Sequence, residues 1–310
     1  MMKLKIDSRS TTVYRLLSYV CCSLILSSML AGHVEARASS LRATSVAVLD
    51  FGGTTVGRRA ADKVSLAFTA DTGLTLTDRD ESRAAALGAG YAGSLNLTLE
   101  EARDLGAAIG SDFYITGDAQ TLRRSPSDGP VFQEAYASVF IVSARTGRLV
   151  MWDRPSFAAS KPEEAEAMLL AELGRRAVRY IAAIRAAEEN ERQMRALSTA
   201  HGVPVIEEIP EADSPAAKAF RPPAPYRRQR PPYPETAARA DAEATVDVMV
   251  DIETDGEVSR VEVVRWAGFG LDEGVVNTVR QMHFRPAMRD GVPVSMRALL
   301  RYNFRRPEKR

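Results

Sequence analysis

Cysteine is nearly absent from this chain, and its position decides what is excluded. The only two, Cys21 and Cys22, lie inside an N-terminal apolar run from Leu16 to Gly32. Removal of that run on export would leave no thiol, which excludes disulfides, zinc–thiolate sites and a cysteine nucleophile together. Histidine is as scarce: His33 borders the leader, and His201 and His283 stand far apart in sequence. A surplus of one charge is missing too. The 41 basic and 40 acidic side chains give a net charge of +1, so no whole-protein field draws nucleic acid or anionic lipid, and such a role needs a local patch.

What is present suits an exported protein. Lys3, Lys5, Arg9 and Arg15 precede the apolar run, and Val34-x-Ala36 and Ala36-x-Ala38 follow it with small residues for a signal peptidase. Residues 1–38 read as a signal peptide, placing the protein in the periplasm. The alternative is an inner-membrane anchor at residues 16–32, whose helix would span about 25 Å against a hydrocarbon core of ~30 Å.

Residues 41–202 read as an α/β domain. "SVAVLDF" has the continuous apolar character of a buried strand, "RRAADKVSLAFTA" has helical spacing, "LTLTDR" alternates, and "TLEEARDLGAAIG" opens on a capping box of Thr98 and Glu101. "DFYITGDA" returns to strand, and two strands flank the turn at Thr146-Gly147. A long helix is predicted over 160–200, with Ala167, Leu170, Ala171, Leu173, Ala177, Val178, Ile181 and Ile184 on its apolar face. Residues 203–232 hold eight prolines and read as a linker; its Arg221, Arg227, Arg228 and Arg230 fit a solvated charged spacer better than a phosphate site.

In the C-terminal part, Val246, Val248, Val250 and Ile252 alternate with polar residues up to Asp255-Gly256, a hairpin signal. A two-residue turn there pairs Val250 with Val261 and Val248 with Val263, so both apolar faces coincide. "WAGFG" leads into a short amphipathic helix with Leu271, Val275, Val276, Val279 and Met282 inward, and "GVPVSMRALLRYNF" supplies a last strand.

These features resemble the C-terminal domain of the TonB family of energy transducers. The matching motifs are Tyr233-Pro234 with Ala237, Asp255-Gly256-x-Val258, Gly268-Phe269 before Leu271-Asp272, Phe284-Arg285-Pro286-Ala287, Asp290-Gly291-x-Pro293-Val294 and the terminal aromatic strand. The resemblance implies an α+β domain over 233–306, a small antiparallel sheet with helices, preceded by the α/β domain and the Pro-rich linker. It implies capture of an extended peptide from an outer-membrane transporter by strand addition, with an inner-membrane motor of the ExbB/ExbD type as a further partner. The contact strand it implies carries Met296, Ala298, Leu300, Tyr302 and Phe304, with Arg301 facing the other way. Residues 45–158 show a shorter similarity, through "VAVLDF", "DRDES" and "LGAAIGSDFYITGDA", to the α/β domains of TolB and of CsgG-type secretion proteins.

Catalytic, metal and cofactor chemistry finds no support. "GAGYAG" fits a dinucleotide pattern but follows a helical segment instead of a strand. Gly52, Gly53 and Gly57 lie between a strand and a helix, without the Gly-Lys-Ser/Thr of a phosphate loop, and read as a tight turn. Asp78, Asp80 and Glu81 read as capping a helix, and Asn96-Leu97-Thr98 as a glycosylation pattern without use. The protein is expected to be a binding module, not an enzyme. The anchor lacks the membrane-embedded histidine of the family and the long spacer is reduced to the linker of 203–232, partly replaced by a folded domain, so a periplasmic adaptor or envelope-assembly protein without energy coupling stands as the alternative.

Overall fold

A computed structural model describes residues 43–127, 129–198 and 220–306; the leader and residues 199–219 of the predicted linker lie outside them. Among the described residues no helix is long and apolar enough to cross a membrane.

Its first half is a sheet with helices on both faces. Strands β1 (Thr44–Val48), β2 (Leu74–Leu76), β3 (Phe113–Arg124), β4 (Phe132–Ser143) and β5 (Leu149–Asp153) lie in the order β2-β1-β3-β4-β5, with β6 (Ser156–Ala159) also on β4. β1 and β3 are parallel, as a strand–helix–strand crossover requires, and β3, β4 and β5 run antiparallel. Side chains alternate between the faces. Val46, Val48, Phe113, Ile115, Val139 and Ile141 pack under α1 (Thr55–Phe68) and α4 (Pro162–Ser198), while Ala47, Leu49, Tyr114, Phe140 and Val142 face the other way.

The local signals explain the helices. Thr54 caps α1 through Gly57 N–H, Asp78 caps α2 (Arg79–Gly88) through Glu81 N–H, and Thr98 with Glu101 forms the expected capping box of α3 (Leu99–Ile109), which ends on a left-handed Gly110. Gly90 and Gly93 of "GAGYAG" follow the helix α2 in a loop at positive φ, which leaves no strand feeding the glycines. The long helix forms, but its buried stripe is Ala165, Leu169, Leu173, Ala177, Tyr180, Ile181 and Ile184; Val178 is 75% exposed and Ala167 and Ala171 are exposed as well. The stripe includes a tyrosine because its hydroxyl donates to Asp153 Oδ2 at 2.8 Å, which Arg176 also grips.

The C-terminal half holds α5 (Glu235–Arg239), β9 (Ala244–Ile252), β10 (Val258–Arg265), α6 (Leu271–Arg280) and β14 (Met296–Phe304), with sheet order β10-β9-β14. Val250 faces Val261 and Val248 faces Val263, the register expected from the sequence. The turn differs from the two-residue form. Glu253 N–H donates to Glu257 C=O, so Thr254, Asp255 and Gly256 form the loop, and a bulge at Ser259 then restores the register. Part of the predicted linker is structured here. β7 (Phe220–Arg221) pairs with β12 (Ala287–Arg289), whose other neighbour is β13 (Val292–Val294), and β8 (Ala224–Pro225) pairs with β11 (Phe284–Arg285). Proline is compatible with such ladders because each is short and peripheral.

The two halves share a core. Trp266, only 1% exposed, enters the second face of the α/β sheet with Ala47, Leu97, Tyr114, Phe140 and Ala144 around it. Its ring lies 5.8 Å from Phe140, and Phe269 packs on Phe140 and Trp152 at 5.6 and 5.8 Å. The indole N–H donates to Gly147 C=O at 3.0 Å, in the predicted β4–β5 turn. Asn96, the idle residue of the sequence reading, clamps the seam: its amide donates to the carbonyls of Thr245 and Trp266 at 2.8 and 2.6 Å, and its oxygen accepts Thr245 N–H at 3.1 Å. The turn after Trp266 is left-handed at Gly268, Phe269 and Gly270, and a Cβ on Gly268 would collide with the Phe140 ring. Buried Asp272 closes this turn by accepting the N–H groups of Ala267 and Gly268 at 2.9 and 2.7 Å.

Two outcomes follow. Trp266→Ala should lower unfolding stability by about 3–5 kcal/mol in urea titrations, the usual cost of emptying a buried tryptophan site; a loss under about 1 kcal/mol would show that the seam is not packed. Burial pushes Asp272 up to about 7 from 3.8, against the pull of its two backbone donors. A raised carboxyl pKa favours the folded state below its unfolded value and loses that contribution as pH rises to the folded value. The stability of the native chain relative to Asp272→Asn should therefore fall between pH 4 and 7, by at most about 4 kcal/mol; a flat difference across that range would refute the shift.

Candidate peptide-binding edge

β14 is the last strand of its sheet. It pairs with β9 over its whole length, from Met296 opposite Ile252 to Phe304 opposite Ala244, and no strand pairs with its other side among the described residues. The opposite edge, β10, is partly covered by the α/β half: Thr98 forms a bridge to Arg265, Trp266 N–H donates to Leu97 C=O, and Arg148 pairs with Glu262. β14 thus offers the longer uncovered row of backbone donors and acceptors.

The strand's period of two divides its side chains. Met296 and Phe304 are buried, and Ala298, Leu300 and Tyr302 pack against the core made by β9, α5 and α6. The five residues expected to meet a partner are thus together on one face, and that face is turned inward. Tyr302 keeps a half-buried ring with its hydroxyl 3.5 Å from Met282 Sδ, and Phe304 lies 6.4 Å from the Tyr233 ring. Arg301 does face the other way, with Arg297, Leu299 and Asn303.

The outward face carries two charge pairs across the strands. Arg297 binds Asp251 through two bonds of 2.6 and 2.8 Å, and Arg301 binds Asp247 through two of 2.8 and 2.9 Å. Leu299, half exposed, lies opposite Met249 between these pairs. Asp247 also meets Arg265 at 3.3 Å, and Arg265 reaches Asn96 C=O at 3.2 Å and Glu101 at 3.6 Å in the α/β half. The hydrogen bond from Arg301 is the largest of several effects that hold the Asp247 carboxyl below its usual range. The alternation Asp-x-x-x-Asp on β9 and Arg-x-x-x-Arg on β14 was the signal in the sequence: opposite charges at the same spacing on two strands of one sheet.

The other motifs resolve into structure. Gly57 N–H is taken by the Thr54 hydroxyl, and a Cβ on Gly52 would meet the Asp118 side chain. Among the described residues no group of three or more His, Cys, Asp or Glu side chains is arranged to hold a metal. His283, far from His201 in sequence, is exposed and pairs with Glu257 at 2.7 Å.

Residues 229–305 match the family model described as the Gram-negative bacterial TonB protein C-terminal domain. No curated protein matches the chain. Among solved structures, the TonB C-terminal domain of Pseudomonas aeruginosa is 23% identical, with 34% of this chain and 99% of that chain covered and a TM-score of 0.26. The hypothetical protein CT253 of Chlamydia trachomatis is 12% identical over 45% of this chain and 96% of that one, with a TM-score of 0.32. The LpoB C-terminal domain of Salmonella enterica is 12% identical over 38% and 84%, with a TM-score of 0.26. Residues 229–305, which hold the sheet that ends in β14 and the helices packed on it, are thus a TonB C-terminal domain segment within this chain.

Proposed function

We propose that the chain is a periplasmic, non-catalytic protein that binds an extended peptide segment of an outer-membrane TonB-dependent transporter by strand addition to β14. The observation that carries this reading is the uncovered edge of β14 within the TonB C-terminal segment. A strand laid along that edge gains a ladder of backbone hydrogen bonds, which tolerates many sequences, and side chains then select among them. The partner's side chains on the outer face would meet Leu299 and the Arg297 and Arg301 guanidiniums; those on the inner face would lie beside Ala298, Leu300 and Tyr302.

Energy coupling through an ExbB/ExbD-type motor fits the family. A non-energised adaptor that uses the same edge is favoured by the Trp266 seam, which joins the module to a folded α/β body where a freely tethered reader would need a spacer. The start of the mature protein separates the two: an N-terminus at Arg37 or Ser39 removes the anchor and with it force transmission from the inner membrane.

Strand addition is tested without altering the protein. A synthetic peptide from the periplasmic N-terminal region of a TonB-dependent transporter should bind the full chain in calorimetry. N-methylation of alternate amides, which deletes the ladder but keeps the side chains, should weaken binding by about tenfold or more. Equal affinity for the methylated and unmethylated peptides would contradict the proposal.

A further inference from the structure

The net charge of +1 hides a local imbalance. A cleft of about 1030 Å³ opens where the α/β half meets the C-terminal module. Its walls carry six arginines, Arg123, Arg124, Arg154, Arg176, Arg239 and Arg306, against three carboxylates, Glu134, Asp153 and Asp241. Four come from β3, from the segment after β5 and from α4; the other two come from the C-terminal module. Neither half assembles the cluster alone.

The carboxylates do not satisfy the guanidiniums. Glu134 is held by Arg124 at 2.7 Å and by the Ser156 hydroxyl at 2.6 Å, which leaves Arg154 a contact of only 3.8 Å. Asp153 is occupied by Arg176 and the Tyr180 hydroxyl, and Asp241 by Arg306 at 3.1 Å. Arg123 makes no ion pair among the described residues, and Arg239 pairs only along its own helix, with Glu235. Arg154 is the most unusual member. Its side chain is 10% exposed, its guanidinium lies 4.2 Å over the Tyr136 ring, and its Nε has no hydrogen-bond partner. A buried guanidinium with a spare donor and a distant counter-ion is costly to maintain unless something else completes its shell.

We infer that this cleft binds a ligand carrying a diphosphate or a pair of neighbouring phosphates, with Arg154 at its base and Arg123 and Arg239 at its rim. Phosphate oxygens match the planar fork of guanidinium in two-point contacts, and a ligand with two phosphates can span a dispersed arginine cluster that a single carboxylate cannot. The volume lies at the upper end of ordinary ligand pockets, roughly 300–1,000 Å³. The same chemistry is supplied by a soluble diphosphate or by the headgroup of a two-phosphate lipid. The site is separate from strand addition, since none of its arginines lies on β14.

The test is calorimetry of the full chain with sodium pyrophosphate at about 0.15 M salt, where weak surface attraction is screened. One-to-one binding is expected, weakened at least about tenfold in Arg123→Glu/Arg239→Glu. Both side chains are exposed, so the melting temperature should not change. Arg154→Gln should weaken binding to a similar degree, and Arg260→Glu, outside the cleft, should leave it unchanged. Sedimentation with cardiolipin vesicles but not with phosphatidylcholine vesicles, lost in the rim variant, identifies the lipid headgroup as the source. Pyrophosphate binding without sedimentation identifies a soluble diphosphate. No heat at about 1 mM pyrophosphate, equal affinity in the rim variant, or binding of poly-glutamate in place of pyrophosphate would overturn the inference.

Discussion

The structure depends on the insertion of Trp266 into the second face of the α/β sheet. That face carries Ala47, Leu49, Tyr114, Phe140 and Val142, and α2 and α3 cover only part of it. Without Trp266 and Phe269, the Phe140 and Trp152 rings would meet water, with a loss of apolar burial that dominates domain stability. The directional contacts then fix the pose. The indole proton, the Trp266 backbone N–H and the three Asn96 bonds each have a single acceptor or donor across the seam. Burial supplies the stabilisation and these bonds supply the orientation.

The same seam governs the candidate binding edge. Trp266 follows directly on β10, and Thr245, held by Asn96, lies in β9. β9 and β10 are therefore pinned to the α/β body at the end where Phe304 closes β14. From there the outward ladder runs Arg301, Asp247, Arg265 and on to Asn96 and Glu101. A peptide added to β14 would thus meet a module packed on a second folded half, and the arginine cleft lies across the junction of the two.

Much of this was legible in the sequence, and the failures have physical causes. Capping residues act within one turn of chain, so Thr98 with Glu101 and Asp78 were readable from spacing alone. The hairpin register was read correctly although its turn was not: a three-residue loop and a bulge at Ser259 offset each other, because burial of the valines fixes the register and the turn adapts. On α4, Tyr180 was passed over for Val178, since hydropathy ranks valine higher, while the Asp153 that satisfies the tyrosine lies 27 residues away. The roles of Asn96 and Trp266 were invisible for the same reason on a larger scale, with partners 149 and 170 residues distant for one and 119 for the other. The five alternating residues of β14 share one face, and their apolar character turns that face to the core, which leaves Arg297, Leu299, Arg301 and Asn303 outward.

Native-state hydrogen exchange of the Trp266 and Thr245 backbone amides tests the central claim most directly. These amides donate across the seam, to Leu97 C=O and Asn96 Oδ1. If the two halves are one cooperative body, both should exchange with the same opening free energy as the central ladder amides of β9, and that value should equal the global unfolding free energy. Exchange of the seam amides through a separate, lower-energy opening that leaves β9 protected would show that the halves part while each stays folded, and would contradict the account.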